Sequence, residues 1–171
     1  MRKAAFFALV LLVFVSQGCS KRGRVEEIRR FPADSLEGVI SRTGVSVDSE
    51  VSSEGNGSLR LDAGGSTTFL LYEVSGVAVD EARLIYRARM RTENVIGSAY
   101  LEMICVMPGE GEYFSRALQS SLSGTVDWTT VETPFFLQKG QTPEMVKLNV
   151  VVEGSGTVWI DDVGLLKGPL K

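Results

Sequence analysis

The stretch Gly154-Ser155-Gly156-Thr157-Val158-Trp159-Ile160-Asp161-Asp162-Val163-Gly164-Leu165 decides how this chain folds. From Thr157 onward it is rich in Thr, Val, Ile and Trp, the residue types that fit a pleated, half-buried surface. Neighbours on a strand face opposite ways, so Asp161 and Asp162 cannot form a paired acid–base site with each other. Trp159, like Trp128, is a large apolar surface whose default place is inside a sandwich.

The pattern continues in both directions. Met145–Glu153 precedes the quoted stretch, and Thr125–Leu137 lies before that, with Pro134 expected to interrupt or end it. Gly97–Met107 and Glu81–Thr92 are further strand candidates. In the latter, Ala82, Leu84, Tyr86, Ala88 and Met90 share one parity, and Arg83, Ile85, Arg87, Arg89 and Arg91 share the other. Thr67–Val74, Ser58–Ala63, Val45–Val47, Leu36–Ile40 and Tyr113–Gln119 complete the series. Gly55-Asn56-Gly57, Gly64-Gly65 and Pro108-Gly109 turn the chain between them. No segment holds a period of 3.6 residues over three turns. About nine strands separated by turns imply one antiparallel all-β sandwich or barrel.

Three motifs resemble the galactose-binding-like jelly rolls of carbohydrate-binding modules. The quoted stretch is similar to their closing strand, G-x-V-[WY]-[IF]-D-D-V-x-L. Gly55-Asn56-Gly57-Ser58-Leu59-Arg60-Leu61 resembles an early G-x-x-S-L-x-[LV] strand, and Gly124-Thr125-Val126-Asp127-Trp128-Thr129 resembles a mid-domain strand entrance. The resemblance implies an antiparallel jelly-roll β-sandwich over residues 31–171. It also implies a structural calcium ion at Asp161, completed by carbonyls and an acidic residue near the first strand. That first-strand Phe-Glu pair is replaced here by Phe31-Pro32-Ala33-Asp34. Calcium needs six to eight oxygens, so a second role stays open for Asp161, capping backbone amides.

The N-terminus reads as an address. Arg2 and Lys3 precede an apolar run from Ala4 to Val15, too short to span a bilayer, which needs ~20 residues. Gly18-Cys19 ends the segment, which resembles a bacterial lipoprotein signal. The expectation is a signal peptide over residues 1–18, lipid on Cys19, and a charged tether through Arg30 leading to the domain. The protein is then held in the cell envelope, at the outer membrane in a Gram-negative host because Ser20 follows the cysteine. Secretion with cleavage near the same place is the alternative.

Composition removes whole classes of chemistry. The 171 residues contain no histidine, which excludes a Ser-His-Asp triad, a Cys-His dyad and His-ligated metals. A net charge of −3 offers no basic field for nucleic acid. Cys105 shares its parity with Leu101, Met103 and Met107 and reads as a small buried hydrophobe. Phosphate-binding glycine loops are absent, and no carboxylate pair flanking one glycosidic bond is visible, so the chain reads as a non-enzyme.

A binding face is the remaining possibility. Arg87 and Arg89, Tyr100 and Glu102, and Asn149 lie on the polar parities of three strands. If those strands share a sheet, the five line one surface, with Tyr100 stacking on a sugar ring and the others serving its hydroxyls. Tyr72 and Tyr113 are secondary candidates. A solvated face with cross-strand Arg–Glu pairs is the plain alternative. The expected partner is a glycan or envelope polysaccharide. The alternative is a structural or assembly lipoprotein whose sandwich binds another protein.

Overall fold

The computed structural model describes residues 23–170. Residues 1–18 and Cys19, which carry the expected signal and lipid site, lie outside that range. The strands are β1 (Glu26–Phe31), β2 (Val45–Asp48), β3 (Ser58–Ala63), β4 (Thr67–Ser75), β5 (Ala82–Met107), β6 (Gly111–Arg116), β7 (Leu122–Leu137) and β8 (Met145–Gly168). One 3-10 turn, Leu118–Ser120, links β6 to β7. All pairings are antiparallel. The all-β sandwich expected from the strand pattern is what forms.

Two long strands organise the molecule. β5 and β8 pair along nearly their whole length, from Arg83↔Gly168 to Val106↔Met145. Their register shifts between Glu93 and Ile96, where the ribbon bends. Gly97, Gly154 and Gly156 have φ of 99°, 121° and 140°, and Asn94 has φ of 53°. Such backbone is open to glycine and tolerated by asparagine. Before the bend β5 pairs with β7 on one side and β8 on the other, and β8 goes on to β1 and β3, with β2 beyond. After the bend β5 carries β6 at its edge, and β8 carries β4. The ribbon thus belongs to both sheets, where the sequence pattern shows four separate strands.

The core fills the space between the sheets. On β5 its residues are Leu84, Tyr86, Ala88 and Met90 before the bend, and Ala99, Leu101, Met103, Cys105 and Met107 after it. The inward parity switches from even to odd because the register shift displaces the alternation. On β8 the inward set is Val146, Leu148, Val150, Val152, Val158 and Ile160, then Val163 and Leu165. That second switch falls at Asp161-Asp162, where Asp162 has φ of 50° and the β5–β8 register shifts. The two aspartates therefore sit on a β-bulge, and simple alternation does not describe them.

Three local readings change. Glu26–Arg30, expected to be tether, pair in β1 with the end of β8. Leu36–Ile40 forms no strand. Pro134 does not interrupt β7. It lies opposite Ile85 in a strand that pairs with β5 alone, an edge position where a missing N–H is tolerated. Cys105 is fully buried, and burial pushes its thiol up from 9.0 to about 12, so it stays protonated and non-nucleophilic at neutral pH.

Candidate functional site

The bend separates the five expected ligand residues. Arg87 and Arg89 precede it, on the outer face of the sheet formed with β7. Arg87 pairs with Glu132 at 2.8 Å, and Arg89 donates to the Trp128 carbonyl at 3.2 Å. Tyr100 and Glu102 follow the bend on β5, and Asn149 lies opposite Glu102 on β8, on the outer face of the other sheet. The expectation of one surface is therefore corrected: three residues come together and the two arginines lie elsewhere.

The three that meet are built into a compact polar cluster. Glu102 and Asn149 are direct cross-strand partners, and Arg116 is the partner of Glu102 on its other side. The Asn149 Nδ2 donates to Glu102 Oε1 at 3.0 Å, and the Arg116 Nε donates to Glu102 Oε2 at 2.5 Å. The Tyr100 hydroxyl donates to Glu153 Oε1 at 2.8 Å. Burial, reinforced by that bond, holds the Tyr100 hydroxyl above its ordinary pKa, so it remains a donor at neutral pH. The bond to Glu102 raises the already high pKa of Arg116. Beside the cluster, Lys147 donates to Glu112 at 2.6 Å.

Exposure revises the roles. Tyr100 is only 2% exposed, so its ring is not free to stack on a sugar. Phe114 is 62% exposed and supplies an aromatic surface on the same face, opposite Ile104 in the register. The Arg116 guanidinium lies 4.3 Å from its ring centroid. The Phe114–Arg116 spacing on an alternating edge strand was a signal in the sequence. Tyr113 is also exposed, while Tyr72 is buried, stacked on Phe31 with ring centroids 4.3 Å apart, and donates to the Pro32 carbonyl.

Next to Phe114 a groove of about 820 Å³ opens between β6, the 3-10 turn and the edge of β7. Phe114, Leu118 and Phe136 line it as exposed apolar side chains. The Ser115 hydroxyl bridges its floor, bonded to the Thr133 hydroxyl at 2.7 Å and to the Pro134 carbonyl at 2.6 Å. On the other sheet Trp159 is buried between Arg60 and Arg91, whose guanidinium carbons lie 5.3 and 5.4 Å from its ring. Its indole N–H donates to Asp48 at 2.9 Å. Trp159 is therefore a structural residue.

Asp161 holds a loop. Its Oδ2 accepts the Ser53 and Glu54 amides at 2.8 and 2.9 Å, and its Oδ1 accepts the Asp162 amide at 2.7 Å. Asp162 is paired with Arg30 at 2.8 Å. Among the described residues no three or more acidic, His or Cys side chains gather to hold a metal. The calcium expectation at Asp161 is not supported by this donor set, because three N–H groups already occupy the carboxylate. The capping role is the one its geometry fits.

No family model matches the sequence, and no curated protein matches it. Solved structures do resemble the fold. A two-module fragment of Clostridium thermocellum endo-1,4-beta-D-xylanase 10B, a family 22 carbohydrate-binding module with its family 10 hydrolase module, matches with a TM-score of 0.60 and 11% identity, over 82% of this chain and 28% of that one. The family 22 xylan-binding domain of a Paenibacillus barcinonensis xylanase matches with a TM-score of 0.56 and 13% identity, over 82% of this chain and 96% of that one. The fold is that of the carbohydrate-binding-module β-sandwiches. A family 16 carbohydrate-binding module also matches, with a TM-score of 0.51, 12% identity and coverage of 71% and 84%. At these identities the similarity shows the architecture alone.

Proposed function

We propose that the protein is a non-catalytic glycan-binding module whose site is the face carrying Phe114, Arg116, Glu102, Asn149, Tyr100 and Glu153. The observation that carries this is an exposed aromatic ring beside the solvent-facing Arg116 and Glu153, which the buried Glu102 and Tyr100 hold in place. A pyranose has an apolar C–H face and a rim of hydroxyls, and such an arrangement serves both. No group on this face is poised for bond cleavage, since Glu102 is engaged by Arg116 and Asn149 and Glu153 by Tyr100.

Xylan and xylohexaose, named for the structural relatives, and cell-envelope polysaccharides are the first ligands to try. Isothermal titration should detect binding to at least one of them. Phe114→Ala should weaken it about tenfold, equivalent to about 1.4 kcal/mol. Retention of full affinity in that variant would remove Phe114 from the site.

Lipid on Cys19 would hold this module at the envelope surface, with Gly23–Val25 leading directly into β1. A fatty-acid label is expected on the wild-type protein and not on Cys19→Ser, which should leave the membrane fraction. An unlabelled wild-type chain would leave ordinary secretion. A second reading, a protein partner, is favoured by the groove beside β6, where Phe114, Leu118 and Phe136 expose apolar surface together. It becomes the leading reading if no glycan binds.

A further inference from the structure

The cluster around Glu102 presents acceptors. Glu102 and Glu153 supply carboxylates, and Asn149 supplies its side-chain oxygen. Asn149 is 3% exposed, its Nδ2 is spent on Glu102, and its Oδ1 has no hydrogen-bond partner. A buried oxygen in that state is a site still lacking its donor. Lys147, the nearby ammonium, is held by Glu112 at 2.6 Å. The cation on Glu102 is Arg116, whose side chain is 40% exposed while that of Glu102 is 7% exposed. Arg116 is anchored by Glu102 on one side and by the exposed Phe114 ring on the other. It can leave by rotating into solvent, and what it would leave behind is negative and rich in acceptors.

We propose that this subsite selects glycans bearing a free amino group, whose ammonium takes the place of the Arg116 guanidinium over Glu102. The proposal rests on the glycan-binding reading and names the ligand class. An ammonium brings three N–H donors and one positive charge. It compensates Glu102 in the half-dry setting where an unpaired carboxylate is costly. N-acetylation removes the charge, and a uronate adds a third carboxylate to two. The rest of the face points the same way, since Glu73, Glu102, Glu112 and Glu153 outnumber Arg116 and Lys147.

Titration of the purified protein at mildly acidic pH and low salt tests this with four probes: a glucosamine hexamer, its fully N-acetylated counterpart, xylohexaose and hexalysine. The glucosamine hexamer should bind about tenfold or more tighter than the acetylated one. That preference should shrink as rising pH removes the amine protons. Arg116→Ala, at an exposed position, should strengthen glucosamine binding several-fold by removing the internal competitor. Glu102→Gln should erase the preference for the free amine. Equal affinity for free and acetylated hexamers, weaker glucosamine binding in Arg116→Ala, or hexalysine binding as tightly as the sugar would each overturn the proposal. If neutral oligomers bind without that preference, the module still binds glycans and only this inference fails. If no oligosaccharide binds, both fall together.

Discussion

Gly97→Ala or Gly154→Ala is expected to destabilise the chain severely. The two glycines face each other across the β5–β8 ribbon where it bends from one sheet to the other. A Cβ on Gly97 would lie 1.8 Å from the Glu153 carbonyl oxygen, and one on Gly154 would lie 1.8 Å from that of Ile96. Both obstacles are backbone, so no side chain can move aside. Both residues also hold φ values, 99° and 121°, that side-chain-bearing residues rarely adopt. The strand pair would have to separate at the point that joins both sheets. The loss should reach several kcal/mol, a large part of the roughly 5–15 kcal/mol that holds an ordinary domain together. Gly55→Ala is the control. It has φ of 69° and open space around it, so it carries only the backbone cost, about 1 kcal/mol. Urea unfolding followed by circular dichroism checks all three. A wild-type midpoint for Gly97→Ala would show that the ribbon does not pass through this bend.

Asp161→Ala should be the most damaging change at a single polar side chain. It strands three backbone N–H groups, those of Ser53, Glu54 and Asp162, which now share one carboxylate that is 6% exposed. Hydrogen bonds to a charged group contribute roughly 1.5–3 kcal/mol each, and members of one cluster are not additive, so about 3–5 kcal/mol is expected. The damage should be local in origin, releasing the turn before β3. Asp161→Asn should also be destabilising, because its amide would turn donors toward donors. A chelator should leave the melting temperature of the wild-type protein unchanged. A large chelator-induced drop would instead assign Asp161 to a bound cation.

These expectations draw on two kinds of information. Alternation along Glu81–Thr92 and Gly97–Met107 told which side chains face inward, and Leu84, Tyr86, Leu101 and Met103 are buried accordingly. That signal is local, since successive side chains on any strand point to opposite faces. The polar residues Arg87, Arg89, Tyr100, Glu102 and Asn149 were likewise legible as outward-facing. Their exposure was not. Arg116, fourteen residues beyond Glu102 on a separate strand, caps Glu102, and no local pattern announces such a cover. Asp161 was readable as either a ligand or a cap, because the amides of Ser53 and Glu54 reach it only through folding.

By itself, then, the sequence determined an antiparallel β-sandwich, the inward-facing residues of β5, and a chain without histidine chemistry. Period-two patterning and composition settle those matters within a few residues of each other. Tertiary structure alone decided that Arg87 and Arg89 serve one sheet and Tyr100, Glu102 and Asn149 the other. The divide is the bend at Asn94–Gly97, whose consequence depends on Gly154 and Gly156 arriving opposite it from some sixty residues away. It also decided that Phe114, an unremarked residue of an edge strand, is the exposed aromatic beside the cluster. Pairing between distant segments sets which faces are shared, and that pairing is stabilised by a core that forms only when the whole chain has closed.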